Sequence, residues 1–394
     1  MRNFREVTDR TGTRSVKWDM TEQLFKDKEV LPMWVADMDF KAPEPVLNAL
    51  SERVDHGIFG YTMTDEKIGD VIQHWLAKRH GWNIEKDWLS YSPGVIPSIH
   101  MIIQSLTEPE DSIMIQTPVY PPFYSVIKAH DRHLVSNPLS FENGHYAIDF
   151  EDFEAKIKQN NVKMFILCNP HNPVGRVWKE HELKQMGDIC LRHNVQIVSD
   201  EIHADLIFPG HAHVPIAKLS EDLNQATITT LSPTKTFNLA GLQASYLVIA
   251  NEETRKTIKD QFNQQGLYML NTLGITALEA AYQDGEEWLE KLIETLDEHK
   301  SYVIKRLHQE TSHIRVVEPE GTYLLWLDCR SLNLSQNELR RFMREDAKVG
   351  LNDGTSFGDE GEGFMRLNIA APFATLEEGL DRIITAINTT YSSQ

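Results

Sequence analysis

Short runs of apolar residues alternate along the chain with longer stretches whose apolar residues recur at helical spacing. The runs 112–116, 162–168, 195–199, 226–231 and 244–250 have the length of strands. Amphipathic stretches such as 180–193 lie between them. Strand-like runs alternating with helical ones predict an α/β domain on a mainly parallel sheet. Ligands bind such sheets at the carboxyl ends of the strands, so the residues just after each run are where chemistry is expected.

The texture changes after about residue 285. Residues 286–309 read as one long charged helix with Trp288, Leu292, Leu296 and Val303 on its apolar face. Strands over 314–317 and 323–327, a helix over 336–345, a strand over 364–369 and a last helix from Leu376 predict a smaller α+β domain. The segment up to residue 48, interrupted by Pro32, Pro43 and Pro45, reads as an arm that also contributes to the small domain. The expected division is 1–48, 49–285 and 286–394.

Composition narrows the function. A chain of 394 residues is long enough for two domains. The formal charge of −19 repels nucleic-acid phosphates, and no basic run offsets it, so a nucleic-acid partner is not expected. No stretch approaches the roughly 18–20 apolar residues of a membrane helix, and the start, Met1-Arg2-Asn3-Phe4-Arg5, is polar. A cytoplasmic protein without a membrane partner is the expectation. Cys168, Cys190 and Cys329 are far apart and flanked by apolar residues, which predicts buried reduced thiols.

Five segments following strand-like runs carry polar or aromatic residues suited to chemistry. Lys235 lies in Ser232-Pro233-Thr234-Lys235-Thr236, where desolvation favours a reactive amine and the hydroxyls suit a phosphate. Alone, it reads equally as a solvated loop lysine. Asp200 ends an apolar run 35 residues earlier, suited to pairing with a pyridinium nitrogen or to capping a helix. Asn169-Pro170-His171-Asn172-Pro173 forces a tight turn whose amides suit a phenolate oxygen, or is a turn only. Gly94-Val95-Ile96 opens a helix, which suits a phosphate. Tyr120-Pro121-Pro122-Phe123-Tyr124 offers aromatic rings for stacking on a planar cofactor or for packing. His203, His211 and His213 lack the companions of a metal set, and no metal is expected.

In this order and spacing, the five segments together resemble the fold-type I pyridoxal 5′-phosphate (PLP) enzymes of the aspartate aminotransferase superfamily, over nearly the whole chain. The resemblance implies PLP carried as a Schiff base on Lys235 and paired with Asp200. Tyr120 would stack on the ring and Asn172 would lie near its hydroxyl, with Gly94, Val95, Ile96 and Ser232 at the phosphate. Arg366, in Phe364-Met365-Arg366-Leu367-Asn368, would clamp the substrate carboxylate, with Tyr124 also on the substrate side. Gly60-Tyr61-Thr62 resembles the segment whose tyrosine reaches across a homodimer to the partner's cofactor and substrate. Two positions depart from the usual aminotransferase pattern. His203 stands where a tyrosine contacts the ring hydroxyl, and Gln243 stands where an arginine faces the phosphate. With Pro32-Met33-Trp34-Val35-Ala36-Asp37-Met38-Asp39-Phe40, they resemble the MalY/PatB group of cystathionine β-lyases. That implies α,β-elimination from an L-cysteine thioether such as cystathionine. An aminotransferase is the alternative, and a regulator acting through protein contacts on the same fold is a second.

Overall fold

The computed structural model describes residues 4–267 and 269–391, so Met1–Asn3 of the polar start lie outside it. Its centre is a seven-stranded sheet formed by β1 (Leu89–Ser92), β2 (Ser112–Thr117), β3 (His133–Pro138), β4 (Val162–Cys168), β5 (Gln196–Asp200), β6 (Thr227–Leu231) and β7 (Ser245–Ile249). The strand order is β1-β7-β6-β5-β4-β2-β3. β7 runs antiparallel to both neighbours, and the other pairs are parallel.

Alternate side chains explain the continuous apolar runs. Met114, Phe165, Leu167 and Ile197 pack on one face, with Phe153, Leu183 and Ile189 from the helices Phe150–Asn160 and Glu180–Arg192. Ile113, Ile115, Met164, Ile166 and Val198 pack on the other, with Ile99, Ile102 and Ile258 from Val95–Leu106 and Glu252–Gln264. Both faces are covered, as a mainly parallel sheet requires.

The long helix Glu286–Glu310 buries Leu289, Leu292, Leu296, Val303 and Leu307, while Trp288 is half-buried. It packs on the final helix, Phe373–Tyr391. A four-stranded antiparallel sheet joins β8 (Arg315–Val317), β9 (Leu324–Asp328), β10 (Asn352–Asp353) and β11 (Phe364–Asn368) in the order β8-β9-β11-β10. The helix expected over 336–345 is α-helical only over Gln336–Arg341 and widens into a π-helical turn over Phe342–Asp346. The N-terminal segment forms the short helices Val16–Asp19 and Thr21–Phe25 and a two-residue strand, Leu31–Pro32, parallel to Val349–Gly350. Among the described residues, no helix is long and apolar enough to cross a membrane.

Candidate active site

A cavity of about 270 Å³ opens at the carboxyl ends of β2, β4, β5 and β6. The strand topology brings together residues far apart in sequence: Tyr120 after β2, Cys168 and Asn172 at and after β4, Asp200 and His203 at and after β5, and Lys235 after β6. Gly94, Val95, Ile96, Ala36 and Gln243 complete the wall that concerns the chemistry.

Lys235 sits in the short helix Pro233–Thr236, capped by Ser232, whose hydroxyl accepts from Thr234 N at 3.1 Å. Its Nζ donates to the Ala36 carbonyl at 2.5 Å. Burial, reinforced by the Arg366 charge, lowers the ammonium to about 8, with Asp37 and Asp200 opposing. The ammonium still predominates at pH 7, but the proton is held far less tightly than on an ordinary lysine. Asp200 is the last residue of β5 and is buried. Its Oδ1 accepts from Ile202 N at 3.1 Å. Burial raises the carboxyl to about 7, Glu201 adds to this, and the Ile202 bond and Lys235 oppose it. Among the described residues no cation lies within salt-bridge distance of it, so a cationic ligand atom would be stabilised there.

Arg366 lies in the middle of β11. Its Nη1 donates to Asn172 Oδ1 at 2.9 Å, and Nη2 to Asn352 Oδ1 at 2.7 Å and the Trp34 carbonyl at 3.1 Å. The Phe357 ring lies 4.8 Å from the guanidinium carbon. Nε is buried without a hydrogen-bond partner. Burial lowers the guanidinium to about 10, still a cation at neutral pH, with Tyr120 and Tyr323 opposing the shift. His203 is buried edge-to-face against Tyr323, centroids 5.9 Å apart. Burial, then the charges of Lys235 and Arg366, lower its imidazole to about 3. The ring is neutral, and its buried Nδ1 has no partner.

The helix Val95–Leu106 begins at the cavity. First-turn N–H groups have no intrahelical acceptor, so Val95 and Ile96 present a local anion-binding edge. A Cβ at Gly94 would meet Pro97 Cδ at 3.2 Å, so the chain is close-fitting there. The Ser232 hydroxyl is engaged with Thr234 Oγ1 at 2.7 Å and the Ala244 carbonyl at 2.6 Å. Tyr120 caps the helix Pro121–Ala129, and burial, with the Asp200 charge, raises its phenol. Tyr124 lies outside the cavity wall, its hydroxyl donating to the Phe357 carbonyl at 2.6 Å. Tyr61 is 98% exposed and outside its own chain's cavity. His213 is bonded through Nε2 to Glu201 Oε2 at 2.8 Å, and His211 Nδ1 lies 4.0 Å from Glu320. The three cysteines are buried and unpaired.

Sequence reasoning picked out the segment 32–40 as a motif but missed its structural role: residues 33–38 form a strap that joins this site to the small sheet. Its Ala36 carbonyl accepts from Lys235 and also from Tyr323 Oη at 3.0 Å. The Val35 and Asp37 carbonyls accept from Asn368 Nδ2 at 2.5 and 2.6 Å. Asn238 Nδ2 holds the Met38 and Phe40 carbonyls, both at 2.9 Å. The signal available was the pair of asparagines following Lys235 and Arg366 at short spacing.

The family model for aminotransferase class I and II matches residues 28–383. The cystathionine β-lyase PatB of Bacillus subtilis (strain 168) is 46% identical over 386 residues, covering 98% of this chain and 100% of the relative. A PLP-bound putative aminotransferase from Clostridium difficile 630 superposes with a TM-score of 0.96 at 48% identity, covering 98% of this chain and 100% of that one. Cystalysin from Treponema denticola, whose structure contains PLP, also superposes with a TM-score of 0.96, at 36% identity and with 99% and 100% covered. The likeness spans the central sheet, the strap and the four-stranded sheet alike, and the chain belongs to the aminotransferase class I and II family, with the fold of the fold-type I PLP enzymes.

Proposed function

We propose that this chain is a PLP-dependent carbon–sulfur β-lyase that releases a thiol, pyruvate and ammonia from L-cystathionine or a related L-cysteine thioether. The observation that carries the reading is the convergence of Lys235 and Asp200 on one cavity, with the Arg366 guanidinium bonded to Asn172 of its wall. The residues fit the cofactor. Asp200 is a buried acid with no ion-pair partner among the described residues, as a pyridinium partner would be. The buried His203 Nδ1 and Arg366 Nε atoms have no partner in the protein. The 46% identity to PatB favours elimination over amino-group exchange.

PLP, when bound, supplies the electron sink for the bonds broken at the substrate. The chain's own residues do the rest. Arg366 binds the α-carboxylate with a planar fork and so orients the Cα–H bond toward Lys235. The free amine of Lys235 takes the Cα proton, a role its lowered pKa suits. Asp200 would hold positive charge on the ring nitrogen, Tyr120 would pack against the ring, and Asn172 and the neutral His203 would serve its hydroxyl. A thiolate leaves from Cβ far more easily than hydride or alkyl, its conjugate thiol having an ordinary pKa of about 8.5, and water hydrolyses the released aminoacrylate to pyruvate and ammonia.

We read the enzyme as a cytoplasmic homodimer. Three buried, unpaired thiols fit a reducing compartment. Val54, Ile58, Phe59, Tyr61 and Met63 are large apolar side chains left exposed in one run of sequence, as a face covered by a second copy would be. The test is product analysis with L-cystathionine and no keto acid. One pyruvate, one ammonia and one thiol per substrate are expected, with none from Lys235→Ala. Absence of pyruvate, together with rapid exchange of amino groups between an amino acid and a keto acid, would make the chain an aminotransferase.

A further inference from the structure

Asp205 is a buried acid outside the cavity wall, with no part in the chemistry above. It lies in the tight turn after β5, five residues past Asp200 and two past His203. Three side chains from two other parts of the fold donate to its carboxylate. Trp75 Nε1 lies 3.2 and 3.4 Å from its two oxygens, His80 Nε2 lies 3.0 Å from Oδ1, and Thr236 Oγ1 lies 2.9 Å from Oδ2. Burial acts to raise its pKa, but the bond and charge of His80, the charge of Arg79 and the Thr236 bond outweigh it and leave the carboxyl below its ordinary value. The group is an anion and only accepts, so His80 Nε2 carries the proton of their shared bond.

A buried anion is costly unless its partners are in place. Trp75 and His80 come from the helix Glu66–His80, and the Trp75 ring stacks on Tyr282 at 4.7 Å and packs on Phe237 at 5.7 Å. These contacts anchor the acid to the core. Its remaining donor, Thr236, directly follows Lys235 in the chain. One fixed anion therefore ties the turn that carries Lys235 to the turn that leaves Asp200. We propose that Asp205 is a positioning residue: by gripping the Thr236 hydroxyl it sets the span between the Lys235 amine and the Asp200 carboxylate, which must meet para positions of one pyridine ring. The inference rests on the reading that these two residues hold PLP.

The test compares holoenzyme carrying Thr236→Val, which keeps the shape and loses the hydroxyl, with Thr236→Ser, which keeps it. Asp205→Asn, which keeps the shape and loses the charge, is the second probe. Equilibrium dialysis gives the Kd for PLP, and visible circular dichroism of the bound cofactor reports its orientation, which loss of overall stability does not alter. The valine variant is expected to raise Kd by about tenfold or more and to change the dichroic band, since a bond to a charged acceptor is lost. The asparagine variant is expected to shift both in the same direction, and the serine variant to restore both. Wild-type Kd and dichroism in the valine and asparagine variants would overturn the proposal even if their Tm falls. In that outcome a normal wild-type band leaves the cofactor reading standing. A wild-type protein that binds no PLP would overturn both.

Discussion

At Asp200 the chain keeps an acid where an apolar side chain would be easier to bury. In the cofactor-free protein its pKa is about 7, against an ordinary 3.8. Between those values the folded state holds a proton that the unfolded chain releases. Native stability should therefore fall as pH rises through that window, by at most about 4 kcal/mol. Asp200→Asn removes the titration. Denaturant unfolding of the cofactor-free proteins should show the variant gaining on wild type from pH 4 to 7 and holding its lead above. A gap that stays flat across that range would mean that the carboxylate is already ionised and paired. PLP should narrow the gap, because a pyridinium nitrogen stabilises the anion that burial penalises.

Among the elements, five of the seven strands of the central sheet were legible as short apolar runs, and the ends of those runs located Tyr120, Asn172, Asp200 and Lys235; Leu89–Ser92 and His133–Pro138, rich in polar residues, gave no such run. What supports these residues was not legible. Asn352 and Phe357 reach Arg366, and Ala36, itself bonded by Tyr323, reaches Lys235, from distant segments, and such contacts leave no local period in the sequence. The strand Leu31–Pro32 is two residues long and contains a proline, too short for any periodicity to reveal. Yet it leads into the strap over 33–38, which is held mainly through backbone carbonyls that any residue would provide. Asn368 is the test of that strap: it is buried, its amide spans the Val35 and Asp37 carbonyls, and its Oδ1 accepts from Ala370 N at 2.7 Å. Asn368→Ala strips these bonds and should cost about 2–4 kcal/mol in urea unfolding. It should also raise KM more than it lowers kcat, because the strap's Trp34 carbonyl steadies Arg366. An unchanged KM would separate the strap from substrate binding.

For the whole molecule, the question is whether one chain completes its own site. The loop between the helices Glu44–His56 and Glu66–His80 places Ile58, Phe59, Tyr61 and Met63 in solvent, far more apolar surface than a short polar loop would carry. Thr62 Oγ1 lies 2.7 Å from Thr272 Oγ1, so the loop is pinned to the helix Thr272–Asp284 while its large side chains point away from the chain. A two-fold dimer is self-complementary: if this loop covers the partner, the partner's loop covers this chain, and each Tyr61 serves the other's cavity. Complementation follows from that geometry. Tyr61→Ala leaves both sites without the tyrosine, and Lys235→Ala leaves both without the amine. A heterodimer of the two has one site lacking both groups and one lacking neither. Equal chains mixed by reversible unfolding should pair at random, leaving about a quarter of sites intact. Lyase activity should rise well above the mean of the two parent dimers and follow the heterodimer fraction measured by native mass spectrometry. If heterodimers form and activity stays at that mean, Tyr61 acts within its own chain or not at all, and the exposed loop needs another partner.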